Sequence, residues 1–506
     1  MRGVVAAGHP LTARAGADVL RGGGNAVDAA VAAVLMSFVA ESPLTGPGAG
    51  GFMLVHARGE THLLDFFVAA PGLGLDQREP GTLVPIDIRF SEDAIQRFNV
   101  GPASCGAYGT TLGLGETLER FGSSRLSELT EAPARAAREG VEVVPMQAFL
   151  FEVLEPILTS TPECAAIYAP KGRLLKEGDM IRLPELADLL DRLGAEGPGF
   201  LYSGDVAAAV SDWVLERGGM LSRDDLGSYG VIEREPARVT YRGREVLTNP
   251  PPSSGGILIA DALGILERLD RAHDPYVIVE VIDSTNRARD EEFLEGLATE
   301  GFLERFLAKQ ALDSVATEVR SRLGNTTHIS VMDADGACAS VTCSNGSCSG
   351  VMVPGTGMHL NNMLGEQDLN PLGFHRHTPG ARVPSMMAPT VVLSEGRPEI
   401  AIGSAGSNRI RSAILQTVLG VVDHGLPAQD AVSAPRLHVE ERQVDAEPGV
   451  EEDALARLEE SGWTVRKWAE LNLFFGGVQA VARDAGTDRL TGGGDPRRGG
   501  VAIVVD

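Results

Sequence analysis

The chain is predicted to be an α+β protein, with helices in blocks and several strands joined as hairpins. Short runs of strand composition recur at Gly3–Ala7, Met53–His56, Thr61–Phe66, His328–Asp333, Cys338–Cys343, Thr390–Leu393 and Val478–Arg483. Helical spacing of apolar residues marks Leu11–Arg21, Ala26–Val39, Leu112–Phe121, Val206–Arg217, Gly256–Leu269, Tyr276–Ala298 and Arg411–His424. The two kinds of segment do not alternate strictly, as a doubly wound parallel sheet requires, and no fixed repeat of roughly 20–50 residues is present.

At 506 residues and 43% hydrophobic composition, the chain can bury a large core. A formal net charge of −25 repels phosphates, so neither nucleic acid nor an anionic membrane is an expected partner. The longest apolar run, Ala29 to Ala40, is short of the roughly 20 residues that span a bilayer and reads as a buried helix. The opening MRGVVAAGHPLTARAGAD lacks an apolar targeting segment. Five cysteines, Cys105, Cys164, Cys338, Cys343 and Cys348, form no CxxC pair and are odd in number. A reducing cytoplasm with buried thiols is therefore expected, with no disulfide framework, metal or cofactor. GPGAGG lacks the spacing of a dinucleotide loop, and His375-Arg376-His377 has no acidic or cysteine partner at ligand spacing.

The segment richest in chemistry is NTTHISVMDADGACASVTCSNG, Asn325 to Gly346. Two strand-like runs flank DADG, a tight-turn signal. With Asp335-Gly336 as the turn, Thr326 and Thr327 come opposite Asn345 and Ser344, or one residue away if the turn shifts. A threonine hydroxyl needs a base to act as a nucleophile. Cleavage before Thr326 would supply one, since a free α-amino group has a pKa of about 7.7–8.0. In this arrangement Ser344 holds the nucleophile's oxygen and Asn345 meets substrate. A Thr-Thr pair also simply suits the start of a strand. His328 lies in the strand itself, which favours a structural role.

Beyond this segment, GHPLTARAGADVLRGGGNAVDAAVAA, GAGGFMLVH, LLDF, NPPPSSGGI, NTTHISV, GMHLNNM, ARVPSMMAPT, GSAGSNRI and APRLH follow in an order that resembles the γ-glutamyltranspeptidase family over nearly the whole chain. The resemblance implies a four-layer αββα sandwich of the N-terminal-nucleophile hydrolase type. It also implies a precursor cut between Asn325 and Thr326 into residues 1–325 and 326–506, which stay together as an intertwined heterodimer. Thr326 is then the nucleophile, Ser344 its hydrogen-bonding hydroxyl, and the amides of Gly406 and Ser407 the donors to the oxyanion. The expected partner is a small-molecule acyl substrate.

The recognition residues depart from the family pattern. Phe67, after LLDF, stands where the family has the arginine for the γ-glutamyl carboxylate. The family's serine pair reads Ser385-Met386, Met363 replaces a polar contact, and Glu366 replaces an aspartate. Arg376, Arg382 and Arg409 are candidate replacement cations. Asp65, Asn361 and Asn362 are candidates to support the pocket. The expected activity is hydrolysis or transfer at an amide or γ-glutamyl-like acyl bond with altered specificity. Two rivals remain: a C–C bond hydrolase of the kind the resemblance associates with alkylproline antibiotic pathways, and an unprocessed binding homologue.

Overall fold

The computed structural model describes residues 2–76, 78–89, 95–269, 274–309, 326–484 and 486–506. Asn325, and most of the segment expected to precede the cleavage point, lie outside the described residues.

Two antiparallel sheets form the centre. The first has seven strands in the order Val501–Val505, Gly3–Ala7, Thr327–Asp333, Cys338–Ser344, Gly50–Ala57, Glu60–Phe66 and Ile232–Arg234. The second has six, in the order Leu490–Gly494, Gly477–Arg483, Arg397–Ala405, Thr390–Ser394, Arg244–Thr248 and Ala237–Tyr241. Alternation along the strands sorts side chains into layers. Val5, Met53, Val55, Ile329, Val331 and Val341 face helices Pro10–Gly22 and Ala26–Ala40 in one core. Val4, Phe52, Leu54, Met332, Val391, Ala401 and Val481 meet between the sheets. Val392, Ile400, Ile402, Val478 and Ala480 face helices Ser254–Leu266 and Arg409–Val422 in a third core. This is the four-layer αββα sandwich.

Local chemistry explains the helices that hold the first layer. His9 caps Pro10–Gly22 by accepting from the Leu11 amide, and Gly23, at φ +95°, ends it. Asn25 and Asp28 form a reciprocal capping box for Ala26–Ala40, which is buried on every face. The segment read as one helix from Tyr276 to Ala298 is instead two, Pro275–Ala288 and Glu291–Gly296. Asp290 breaks it by capping the second helix, its carboxylate accepting from the Phe293 amide at 2.8 Å.

The central hairpin differs by one residue from the Asp335-Gly336 turn. Thr327 pairs with Cys343 and Met332 with Cys338. Asp333 stays in its strand because its carboxylate accepts from the amides of Ala337 and Ala26, each at 3.0 Å. The turn is therefore Ala334-Asp335-Gly336, with Gly336 at φ +92°. One more step along this register brings Ser344, rather than Asn345, opposite Thr326.

Candidate active site

Thr326 stands at the head of the strand Thr327–Asp333, 7% exposed, and lines two separate cavities. The hairpin beneath it sits at the centre of the seven-stranded sheet. His328 Nδ1 pairs with Thr342 Oγ1 at 2.8 Å and Nε2 with Ser330 Oγ at 2.9 Å. Burial pulls the His328 pKa down to about 3, so the ring is neutral and serves as a wedge between layers rather than a base. A Cβ on Gly403, in the opposing sheet, would come within 2.2 Å of that ring, so glycine is needed for this close approach.

The first cavity gathers most of the candidate residues. Thr326, Ser344 and Ser407 line it together with Phe67, Met363, Glu366, Ser385 and Met386. Ser344 Oγ accepts from the Gly346 amide at 2.8 Å. Asn345 does not line this cavity. It is fully buried, its amide donates to Leu44 O at 2.9 Å and its side chain donates to Pro43 O at 3.4 Å, which ties the hairpin to the adjacent loop.

Gly406 and Ser407 connect the strand Arg397–Ala405 to the helix Arg409–Val422. Their carbonyls accept the amides of Arg409 and Ile410, so the segment bends directly into the helix N-terminus. Gly406 has φ +129°, and a Cβ there would lie 2.9 Å from Gly476 Cα. Ser407 holds φ +53°, a sparsely populated conformation for a residue with a side chain. Its hydroxyl donates to Asp368 Oδ2 at 2.5 Å, which pins this turn. Asp368 was not anticipated from sequence; its carboxyl is pushed up by burial and moderated by that bond.

Phe67 is 1% exposed and stacks on Phe52, with centroids 5.3 Å apart. Asp65 sets its backbone by accepting from the Phe67 amide at 2.8 Å. Arg234 and Arg382 in turn neutralise Asp65, at 2.7 and 3.2 Å. Arg382 is thereby committed, and it also covers the Tyr229 ring at 4.4 Å. Arg409 lies over Phe474 at 4.3 Å, 3.9 Å from Glu440. Among the described residues, no lysine or arginine lines the first cavity, Arg376 included. Glu366 accepts from the Ser347 amide at 2.8 Å, and burial raises its pKa to about 7.

The motifs that flank the cavity have mechanical reasons. Ser253 Oγ donates to the carbonyls of Ser385 and Met387, at 3.1 and 2.7 Å. A Cβ on Gly255 would reach within 2.0 Å of Met386 O, so PPSSGGI lets a helix start press on the recognition segment. Asn361 accepts from the Gly106 amide at 3.1 Å and donates to the carbonyls of Gly48 and Gly106, at 2.9 and 3.0 Å. Asn362 donates to Ser347 Oγ at 2.5 Å.

The second cavity shares Thr326 with the first and is otherwise lined by different residues. Its wall includes Glu41, missed in the sequence, which accepts from Thr12 Oγ1 at 2.7 Å and from Thr327 Oγ1. A carboxylate directly after an otherwise apolar helix was the available signal. Burial raises its pKa.

Comparison with known proteins bears on this site. Residues 12–505 match the model of the gamma-glutamyltranspeptidase family. The chain belongs to that family. It is 31% identical to the glutathione hydrolase proenzyme of Bacillus subtilis (strain 168), covering 100% of this chain and 92% of that one. It is also 31% identical to the acylase ACY 1 proenzyme of Pseudomonas sp. (strain SE83), covering 100% and 94%. The crystal structure of cephalosporin acylase from Bacillus halodurans superposes with a TM-score of 0.83 at 25% identity, covering 100% of this chain and 96% of that one. The protein is thus an enzyme of the N-terminal-nucleophile hydrolase and acyltransferase type. Among the described residues, no helix is long and apolar enough to cross a membrane.

Proposed function

We propose that this enzyme hydrolyses or transfers an uncharged, largely apolar acyl group from an amide, rather than a γ-glutamyl group. The observation that carries the reading is the wall facing Thr326 and Ser344, where Phe67, Met363, Leu369, Met386 and Ile410 supply apolar surface without a cation. A free γ-glutamyl carboxylate would lose a charge-assisted contact worth roughly 1.5–3 kcal/mol, or about ten- to a hundredfold in rate.

The proposed reaction uses Thr326 as its nucleophile. Cleavage of the bond between Asn325 and Thr326 divides the chain into residues 1–325 and 326–506, which remain packed as one sandwich. The new α-amino group takes the Thr326 hydroxyl proton as the oxygen attacks the acyl carbonyl. Negative charge on the carbonyl oxygen is met by the amides of Gly406 and Ser407. Collapse expels the amine with a proton and leaves an ester on Thr326; water or a second amine then takes the acyl group. The five buried, unpaired cysteines suit the reducing cytoplasm as the place of action.

The test compares hexanoyl and γ-glutamyl 4-nitroanilides, with glutathione as a third substrate. The hexanoyl compound should be favoured about ten- to a hundredfold in kcat/KM. A γ-glutamyl preference would contradict the reading. Carbon-bound deuterium in products formed in deuterated water would instead favour the C–C cleavage alternative.

A further inference from the structure

We propose that the second cavity beside Thr326 is a binding site for an apolar organic anion whose carboxylate is met by Arg498 and by the Nε2–H of His9. The inference rests on Thr326 as the nucleophile for its place in the reaction. With the acyl group in the first cavity, the anion occupies the leaving-group side.

Arg498 lines this cavity and is 8% exposed, yet its Nε, Nη1 and Nη2 have no hydrogen-bond partner. A buried cation without a partner is costly, and such a group normally has an anion beside it. Burial lowers its pKa only to about 10, so it stays charged at neutral pH.

The neighbouring charges are already used. Asp495 Oδ2 accepts from Arg436 Nη2 and the Val478 amide, both at 2.8 Å. Its Oδ1 accepts from the Arg497 amide at 3.0 Å and from Arg497 Nη1 at 3.2 Å. Glu447 is held by Arg497, with Nε–Oε1 at 2.6 Å. Glu41, the carboxylate on the cavity wall, turns its two oxygens to the hydroxyls of Thr12 and Thr327. Asp495 and Glu41 favour the Arg498 cation only through space, and Arg409, of the same sign, opposes it. Arg498 is the member of the group with none of its guanidinium nitrogens hydrogen-bonded.

His9 adds a second donor. Its Nδ1 accepts from the Leu11 amide at 3.1 Å, so in the neutral ring the proton sits on Nε2, which is buried without a partner on the same wall. Burial lowers its pKa to about 4, which keeps the ring neutral. The rest of the wall is largely apolar, with Leu44, Val144, Met146, Leu150 and Leu473. Glycine makes room for the arginine: a Cβ on Gly477 would lie 2.2 Å from Arg498 Cδ. An apolar body ending in a carboxylate fits this combination of donors and surface.

The experiment titrates the purified enzyme calorimetrically with 4-phenylbutyrate and with its neutral isostere 4-phenylbutanamide. The carboxylate should bind about ten- to a hundredfold more tightly, the value of a charge-assisted contact. Arg498→Met should abolish the difference, Arg498→Lys should keep part of it, and Met146→Trp, which fills the apolar end, should weaken both ligands. Equal affinities in the wild type, no binding of either probe, or a preference that survives Arg498→Met would overturn the site. Should Arg498→Met fail to fold, the Lys and Trp variants carry the test. A kinetic pair, hexanoyl 4-nitroanilide and hexanoyl 3-carboxy-4-nitroanilide, places the anion: the ring carboxylate should raise kcat/KM in the wild type and lose that advantage in Arg498→Lys. Failure to form an ester on Thr326 would instead count against the nucleophile, and the binding result stands apart from it.

Discussion

The two sides of Thr326 are built in different ways. The proposed reaction side is backbone: a hairpin inside the seven-stranded sheet, and a turn at Gly406 and Ser407 that runs into a helix. The proposed recognition side is a set of side chains, with Phe67 on Phe52 and the methionines Met363 and Met386. Backbone features tolerate little change, because they need particular φ angles, close approaches and register. Side chains on a preformed wall can be exchanged while the frame stays intact. A family can therefore keep its chemistry while its members differ in what they bind.

Variants on the two sides should differ in kind as well as size. Thr326→Ala should remain a single 53.3 kDa chain on a denaturing gel and show no turnover; a cleaved or active variant would place the nucleophile elsewhere. Next in size is the pH response of Glu366 on the recognition side. Its folded pKa is raised to about 7, so the folded state holds the proton more tightly than the unfolded chain. That contribution to stability is full below the ordinary carboxylate pKa and is lost as pH rises through about 7. Between about pH 5 and pH 8 the wild type should lose a few kcal/mol relative to Glu366→Gln in urea denaturation. A pH-independent difference would mean the carboxyl is ionised throughout.

Gly403→Ala tests the frame. Its Cβ would meet the His328 ring at 2.2 Å, so thermal unfolding should show a loss of about 1–3 kcal/mol. An unchanged melting temperature would show that the layers can part. The smallest effect is expected at Ser344, whose hydroxyl accepts from the Gly346 amide at 2.8 Å. Ser344→Ala should cost about 1 kcal/mol, slowing chain cleavage about five- to tenfold in a time course on gels. An unaltered rate would remove Ser344 from the reaction side.

Much of this was legible in the sequence, for local reasons. Thr327–Asp333 and Cys338–Ser344 read as strands because their β-branched and apolar residues suit a buried sheet, and Ala26–Ala40 read as a buried helix from composition alone. The grouping of Phe67, Ser385 and Glu366 around Thr326 was implied by the family resemblance. Other features depended on long-range placement. Glu41 meets Thr327 across 286 positions, and Arg498 reaches the cavity only because the last strand pairs with the first. The hairpin register turned on the hydrogen bonds of the Asp333 side chain, which select Ser344 rather than Asn345 as the residue opposite Thr326. The break at Arg289-Asp290 was a capping choice within a periodic run.

The central claim, that Thr326 becomes the nucleophile by becoming an N-terminus, is tested most directly by sequencing the amino termini of the purified, denatured protein. Two chains are expected, the smaller beginning Thr-Thr-His-Ile at Thr326. A small chain with any other first residue, or a single uncut chain in active enzyme, would contradict it.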